Sequence, residues 1–174
     1  MDYFLLNKDE RYRNTPRIKS LFKYINVDNI NIFNADKIDD AVILQVEADD
    51  YCVFTDIIDT QMFMVCERMQ KIISKHDPEI IFKILPLIDR KHDRQENYYL
   101  PIFEEIEALS DRSKLNMNKT VVEKIVLDKS KINGQKIFRI KESEKPLIVV
   151  SLDVAESLLR RRFKGISLER LEID

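Results

Sequence analysis

The sequence predicts an α+β fold of many short, largely antiparallel strands with two main helices, and three observations lead there. Two stretches, residues 62–88 and 146–173, each read as strand, cap, helix, turn and strand. Between them lie short apolar, β-branched runs separated by Asn, Asp and Pro, the pattern of brief strands joined by turns. Finally, 44% of the 174 residues are hydrophobic, enough for a globular core, yet no apolar run approaches the ~20 residues of a membrane-spanning helix.

Taken in order, residues 3–6 form an apolar strand that ends in the polar stretch 7–17, where Thr15-Pro16 favours extended or turn backbone. Residues 21–25 and 30–33 are short apolar pieces and read as strands. AVILQVE, residues 41–47, alternates partly around Val42, Leu44 and Val46, so it reads as a strand closed by a turn at Asp49 and Asp50. Residues 54–58 lead into the first helix, whose apolar face carries Met69, Ile72 and Ile73. Pro78 ends that helix, because proline cannot donate the next backbone hydrogen bond.

DRKHDRQEN, residues 89–97, is charge-dense and holds no apolar residue, which reads as a surface loop. YYLPIFEEI, residues 98–106, reads as a strand that Pro101 pushes toward an edge or a bulge. Residues 109–115 turn the chain. Residues 121–127 and 136–140 flank Asn133-Gly134, a pair that tolerates positive φ, so these runs are predicted to meet as a hairpin.

The final stretch brings an apolar run, residues 147–150, to Ser151, a helix N-cap whose hydroxyl can accept an orphan backbone N–H, with Asp153 in the first turn. Ala155, Leu158, Leu159 and Arg162 make the inner face. Arg160, Arg161 and Arg162 crowd the last turn, and Gly165 gives the left-handed exit to Ile166, Leu168, Leu171 and Ile173. A shift of 86 positions lays Met69, Ile72 and Ile73 on Ala155, Leu158 and Leu159, whereas a shift of 85 lays Cys66 on Ser151. Two related strand-helix-strand halves, with one residue inserted between helix and strand, would give both; chance similarity of two such units is the alternative.

The length suits one domain, 1–174, with room for two lobes at 1–97 and 98–174. Lys+Arg 29 against Asp+Glu 31 leaves a net charge of −2, which offers no general attraction for nucleic acid. With no leader-like opening and no apolar span, the cytoplasm is the expected location and no membrane contact is expected. Cys52 and Cys66 are too few and too unpatterned for a disulfide scaffold or a zinc site, and read as reduced core residues.

Catalytic chemistry is thin. His76 and His92 stand at no metal-ligand spacing, and the two glycines cannot form a phosphate loop, so no cofactor is expected. Ser151 and Cys66 open helices but have no visible base. Glu104, Glu105 and Glu107 with Asp111 form an acidic patch, in which Glu105 and Glu107 share a face of a regular strand. That patch suits a basic partner or, alternatively, the divalent ion of a small hydrolase or nuclease. The arginine run leaves a nucleic-acid-binding regulator as a third class.

From Tyr98 onward the chain resembles a bacterial family grouped with the immunity proteins of polymorphic toxin systems. The resemblance is carried by YYLPIFEEIEALSDRS, by Asp128, by Ile137-Phe138-Arg139 and by Val150-Ser151. Leu158, Leu159, Gly165 and the apolar run 166–173 complete it. At Leu109-Ser110-Asp111 the chain departs from the family's usual Leu-Asp pair. The resemblance implies a non-enzymatic protein, made in the cell to be protected, whose partner is a cognate protein toxin. It transfers no site residues. The acidic positions Glu104, Glu105, Glu107 and Asp111, with Asp49 and Asp50, are the candidate partner contacts, because carboxylates can steer toward and mimic the substrate of a basic toxin.

Overall fold

A computed structural model describes residues 1–174 as an α+β protein of fifteen short strands and three α-helices. Its contacts divide into two compact units. A terminal unit holds Met1–Asn7, Phe103–Arg162 and Ser167–Asp174, and a central unit holds Lys8–Ile102 and Phe163–Ile166. The chain opens on β1 (Tyr3–Lys8), then builds the central unit from β2 (Arg17–Ile18), β3 (Leu44–Glu47), β4 (Ile57–Ile58), β5 (Met64–Cys66), α1 (Glu67–His76), β6 (Ile81–Asp89) and β7 (Arg94–Ile102). It continues with β8 (Glu105–Ile106), β9 (Lys114–Leu115), β10 (Val122–Lys124), β11 (Val126–Leu127) and α2 (Lys129–Ile132). Last come β12 (Ile137–Ile140), β13 (Ile148–Ser151), α3 (Leu152–Leu159), β14 (Ile166–Arg170) and β15 (Glu172–Ile173). A lobe boundary after residue 97 would fall inside β7.

The central unit is a six-stranded sheet in the order β2-β3-β6-β7-β5-β4. Its backbone is the β6–β7 hairpin, paired without a register break from Ile81 opposite Ile102 to Asp89 opposite Arg94. The charged run 89–97 is therefore only a four-residue turn, 90–93. The Asp89 carboxylate makes that turn by accepting from the N–H groups of Lys91 and His92, and Asp93 adopts φ 48°. The remaining polar residues, Arg94 to Asn97, are strand, because their partners in β6 impose extension where composition alone suggests a loop. Pro101 sits inside this regular pairing, opposite Phe82, rather than at an edge or bulge. On the other side β5 pairs only with Tyr98 and Tyr99, so no ladder partner is lost at the proline.

Residues 21–25 and 30–33 are not strands. They belong to a chain of 3₁₀ turns, Leu21–Lys23, Val27–Asn29 and Ala35–Lys37, that drops Leu21, Ile25, Ala35 and Ile38 onto Leu44, Val46, Leu85, Leu87 and Leu100 of the sheet. Asparagine decides this. Asn26 Oδ1 accepts from the Asp28 N–H, and Asn31 Oδ1 accepts from those of Phe33 and Asn34, which offers the backbone turns in place of a ladder.

The terminal unit is a five-stranded sheet in the order β14-β1-β13-β12-β8, with the small pairs β9–β10 and β11–β15. β13 lies antiparallel between β1 and β12, and β8 adds in parallel to β12. Its core gathers Tyr3, Leu5, Leu127, Phe138, Ile140, Leu147 and Val149, with the Tyr3 ring edge-on to Phe138. Asn133-Gly134 does not close a hairpin. Asn133 is the left-handed C-cap of the short helix α2 (φ 51°), and β12 pairs with β13 instead. The positive-φ chemistry was legible; a helix stop uses it as readily as a tight turn.

Ser151 occupies the N-cap of α3, but its hydroxyl hydrogen-bonds the Asp153 carboxylate and no backbone N–H. Lys136 approaches the same carboxylate at 2.9 Å. Burial works against ionising Asp153, but the bonds from Ser151 and Lys136 prevail and its pKa falls to about 2. The helix buries Val154, Ala155 and Leu158, while Leu159 is 62% exposed. Arg162 takes the first left-handed step after the helix (φ 51°) and Gly165 the second (φ 78°).

Both sheets place one strand between those that enter and leave the helix: β7 between β5 and β6, and β1 between β13 and β14. At a shift of 85, Met69 and Ile73 fall on Val154 and Leu158, all buried. At 86, Leu85 falls on Leu171, again both buried. Ile73 and Leu159, equivalent at 86, differ in burial for that reason.

Candidate functional site

In the terminal unit the edge strand β8 carries the acidic patch. β8 runs parallel to β12 with Glu105 opposite Arg139, so alternate residues of the two strands face each other in pairs. Arg139 Nη1 meets Glu105 Oε1 at 3.2 Å, and Lys141 Nζ meets Glu107 Oε1 at 3.0 Å. Glu105 and Glu107 do share a face, and they share it with two cations of their own. Lys141 holds the Glu107 carboxyl below its usual range. Glu104 points elsewhere and accepts from Gln135 Nε2 at 2.9 Å. Glu104, Glu105, Glu107, Gln135 and Lys141, with Lys131 and Asn133, wall an open cleft beside α2. Asp111 stands exposed on the following turn. Of the four, Glu104 and Asp111 carry charge that no cation of the chain offsets.

Asp49 and Asp50 belong to the central unit. Asp49 accepts from Asn14 Nδ2 through both oxygens, at 2.8 and 3.0 Å, and from the Tyr51 N–H, which fixes the turn. Asp50 meets the tip of the β6–β7 hairpin: its Oδ1 lies 2.8 Å from His92 Nε2 and 3.2 Å from Lys91 Nζ. His92 Nδ1 in turn lies 2.6 Å from Oδ2 of the buried Asp89. An imidazole held between two carboxylates favours its protonated form, since both ring nitrogens then donate. Asp50 chiefly, and Asp89 next, raise its pKa. Asp89 is pushed up by burial but held below its ordinary value by His92. The partners of His92 are thus Asp50 and Asp89, not its sequence neighbour Asp93.

The remaining candidates for chemistry are held by structure. Cys66 opens α1, yet burial and a hydrogen bond to Asp56 push its thiol up to about 12, so it is no thiolate at neutral pH. Burial likewise raises Cys52. His76 stands in the last turn of α1. Arg160 pairs with Glu156 and Arg161 donates to the Ser157 carbonyl, so two of the three arginines finish α3. No helix is long and apolar enough to cross a membrane.

Comparison with known families matches residues 8–172 to the Immunity protein family (Imm11). The chain belongs to that family. The Imm11 match covers both units and reaches far upstream of Tyr98, where the resemblance in sequence begins. No curated protein matches the chain.

Three features of this Imm11 protein escaped sequence reasoning. The first is the neutralising pair Arg139 and Lys141; their alternation in IFRIK was visible, but which strand they would face was not. The second is the Asp50, His92 and Asp89 contact, which needs a turn 39 residues upstream of Asp89 (89 minus 50) to return to the hairpin tip. The third is a set of exposed apolar side chains, led by Phe22 and Phe33, in the segment read as strands. The density of asparagine in NVDNINIFNAD was the available signal.

Proposed function

We propose that this protein is an immunity protein that binds a cognate bacterial toxin and neutralises it by protein–protein contact, in the cytoplasm of the cell it protects. The observation that carries this reading is the Imm11 match over residues 8–172. The two units act together as one immunity-type domain over 1–174, and the role is non-enzymatic. In support, Glu105 and Glu107, the pair best placed for a catalytic metal, are already matched by Arg139 and Lys141. His92, held between two carboxylates, has no nucleophile among its partners Asp50 and Asp89.

Within this reading, the acidic positions Glu104, Glu105, Glu107, Asp111, Asp49 and Asp50 contribute to recognition of a basic, nucleic-acid-cleaving toxin. Their carboxylates speed encounter and stand in for phosphate. Glu104, Asp111 and Asp49 lead, because they need release no internal cation first. The test is binding of the purified chain to the toxin encoded beside it, measured across a salt series. Reversing Glu104 and Asp111 to Lys should slow association and flatten its salt dependence without lowering stability. Unchanged association would remove the acidic patch from the interface. Failure of the unmodified chain to bind or neutralise that toxin at micromolar concentration would end the immunity reading.

A further inference from the structure

Large apolar side chains scattered singly over a surface are ordinary, but a concentration of them on one short segment is not. Between Leu21 and Ile43 the central unit exposes Phe22 (78%), Phe33 (85%), Tyr24, Val27, Ile32 and Ile43. The segment is not loose. Its backbone is tied turn by turn, with Tyr24 N–H donating to Leu21, Ile30 N–H to Val27, Asn34 N–H to Asn31 and Ile38 N–H to Ala35. Asn26 and Asn31 cap those turns, and Leu21, Ile25, Ala35 and Ile38 anchor them in the core. The inner half of each turn is thus used for folding, and the outer half presents aromatic rings with no packing partner of their own. Such a scaffold has little conformational freedom left to lose on binding, the condition under which aromatic anchors contribute most.

Charge indicates what covers it. Asp28, Asp36 and Asp39 stand exposed on the same segment without an ion pair, and Asp40 is engaged by Lys83 at 2.8 Å. Against those three free carboxylates stand two exposed lysines, Lys23 and Lys37. An apolar centre with an acidic rim complements a protein surface with an apolar socket ringed by lysine or arginine.

We infer that the 3₁₀ segment from Leu21 to Ile43 is the apolar anchor by which this protein grips its toxin, with Phe22 and Phe33 entering a socket and Asp28, Asp36 and Asp39 meeting a basic rim. This rests on the immunity reading and assigns it a surface. The probe is the toxin domain encoded beside this chain, titrated against the chain of residues 1–174. The double variant Phe22→Ala, Phe33→Ala should keep the wild-type melting temperature, since neither ring is buried, and weaken toxin binding at least about tenfold through faster dissociation. A second variant, Asp28, Asp36 and Asp39 each to Asn, should lose mainly association rate and salt dependence.

Unchanged affinity in the double variant, with wild-type binding intact, overturns this inference and leaves the immunity reading standing. No binding by the wild type defeats both. If the unmodified chain instead sediments as a dimer that the double variant dissolves, the occupant is a second copy and the assignment to toxin is wrong.

Discussion

Gly165 packs directly against Thr55: a Cβ built on the glycine would lie 2.5 Å from Thr55 Cγ2 and 2.8 Å from its Cβ. Thr55 cannot retreat, being fully buried with its hydroxyl donating to the Ile57 carbonyl at 2.6 Å. Gly165 also holds φ 78°, so an alanine there meets both a clash and left-handed strain. Gly165→Ala should cost about 2–4 kcal/mol, combining backbone strain with overpacking. Gly134, with the same φ and open space around it, isolates the strain alone, and Gly134→Ala should cost about 1 kcal/mol. Equal urea midpoints for the two variants would mean that the contact with Thr55 yields freely.

Two adjacent leucines give a second contrast. Leu158 is fully buried and Leu159 is mostly exposed. Leu158→Ala should destabilise the protein by about 2–5 kcal/mol, and Leu159→Ala by less than about 0.5 kcal/mol, as surface changes generally do. A larger effect at Leu159 would place the helix face wrongly.

The clasp formed by Asp50, His92 and Asp89 should respond to pH from both sides. His92 is raised from 6.5, so its contribution is complete below that value and fades as pH rises through the raised one. Asp50 and Asp89 are lowered from 3.8, so theirs is complete above that value and fades as pH falls through the lowered ones. The clasp is tightest between 3.8 and 6.5. A proton NMR titration of His92 should give a pKa above 6.5, falling back in Asp50→Asn. A wild-type value at or below 6.5 would show that the ring swings free in solution.

Arg139 divides its guanidinium between Glu105 and the Glu144 carbonyl, which Nη2 approaches at 3.3 Å. A lysine cannot reach both, because its ammonium is a single point rather than a fork. Arg139→Lys should lower stability by about 1.5–3 kcal/mol, the range for hydrogen bonds to charged groups. A shift in unfolding midpoint indistinguishable from zero would mean that water screens the pairing.

How much of this was legible in sequence depends on whether neighbours in the chain or neighbours in space decide the outcome. The strands about Leu5, Val46 and Val149, the first helix and its stop at Pro78 follow from local pattern, and local pattern sufficed. The hairpin arm Arg94 to Asn97 did not read as strand because its extension is imposed by β6, not by its own residues. Leu159 was misplaced because a helix of two turns holds few positions from which to fix its face. The acidic patch was visible as carboxylates, but not as carboxylates already paired, since Arg139 and Lys141 reach them only through a parallel strand contact more than thirty residues away in the chain. Phe22 and Phe33 were hidden by their company: hydrophobic residues beside buried ones look alike until the turn geometry separates them.

The place of β1 has a consequence in time. Within these residues β1 is made before every other strand, yet it sits between β13 and β14, which come after all the strands of the central unit. The central unit has most of its chain once Ile102 emerges, but residues 3–6 must wait for Ile148 to Ser151 before they find their antiparallel partner. Throughout that interval an apolar strand with bare edges is tethered to a neighbour that can already begin folding. Slow elongation between Phe103 and Val149 should therefore lengthen the nascent chain's exposure to aggregation and its dependence on chaperones.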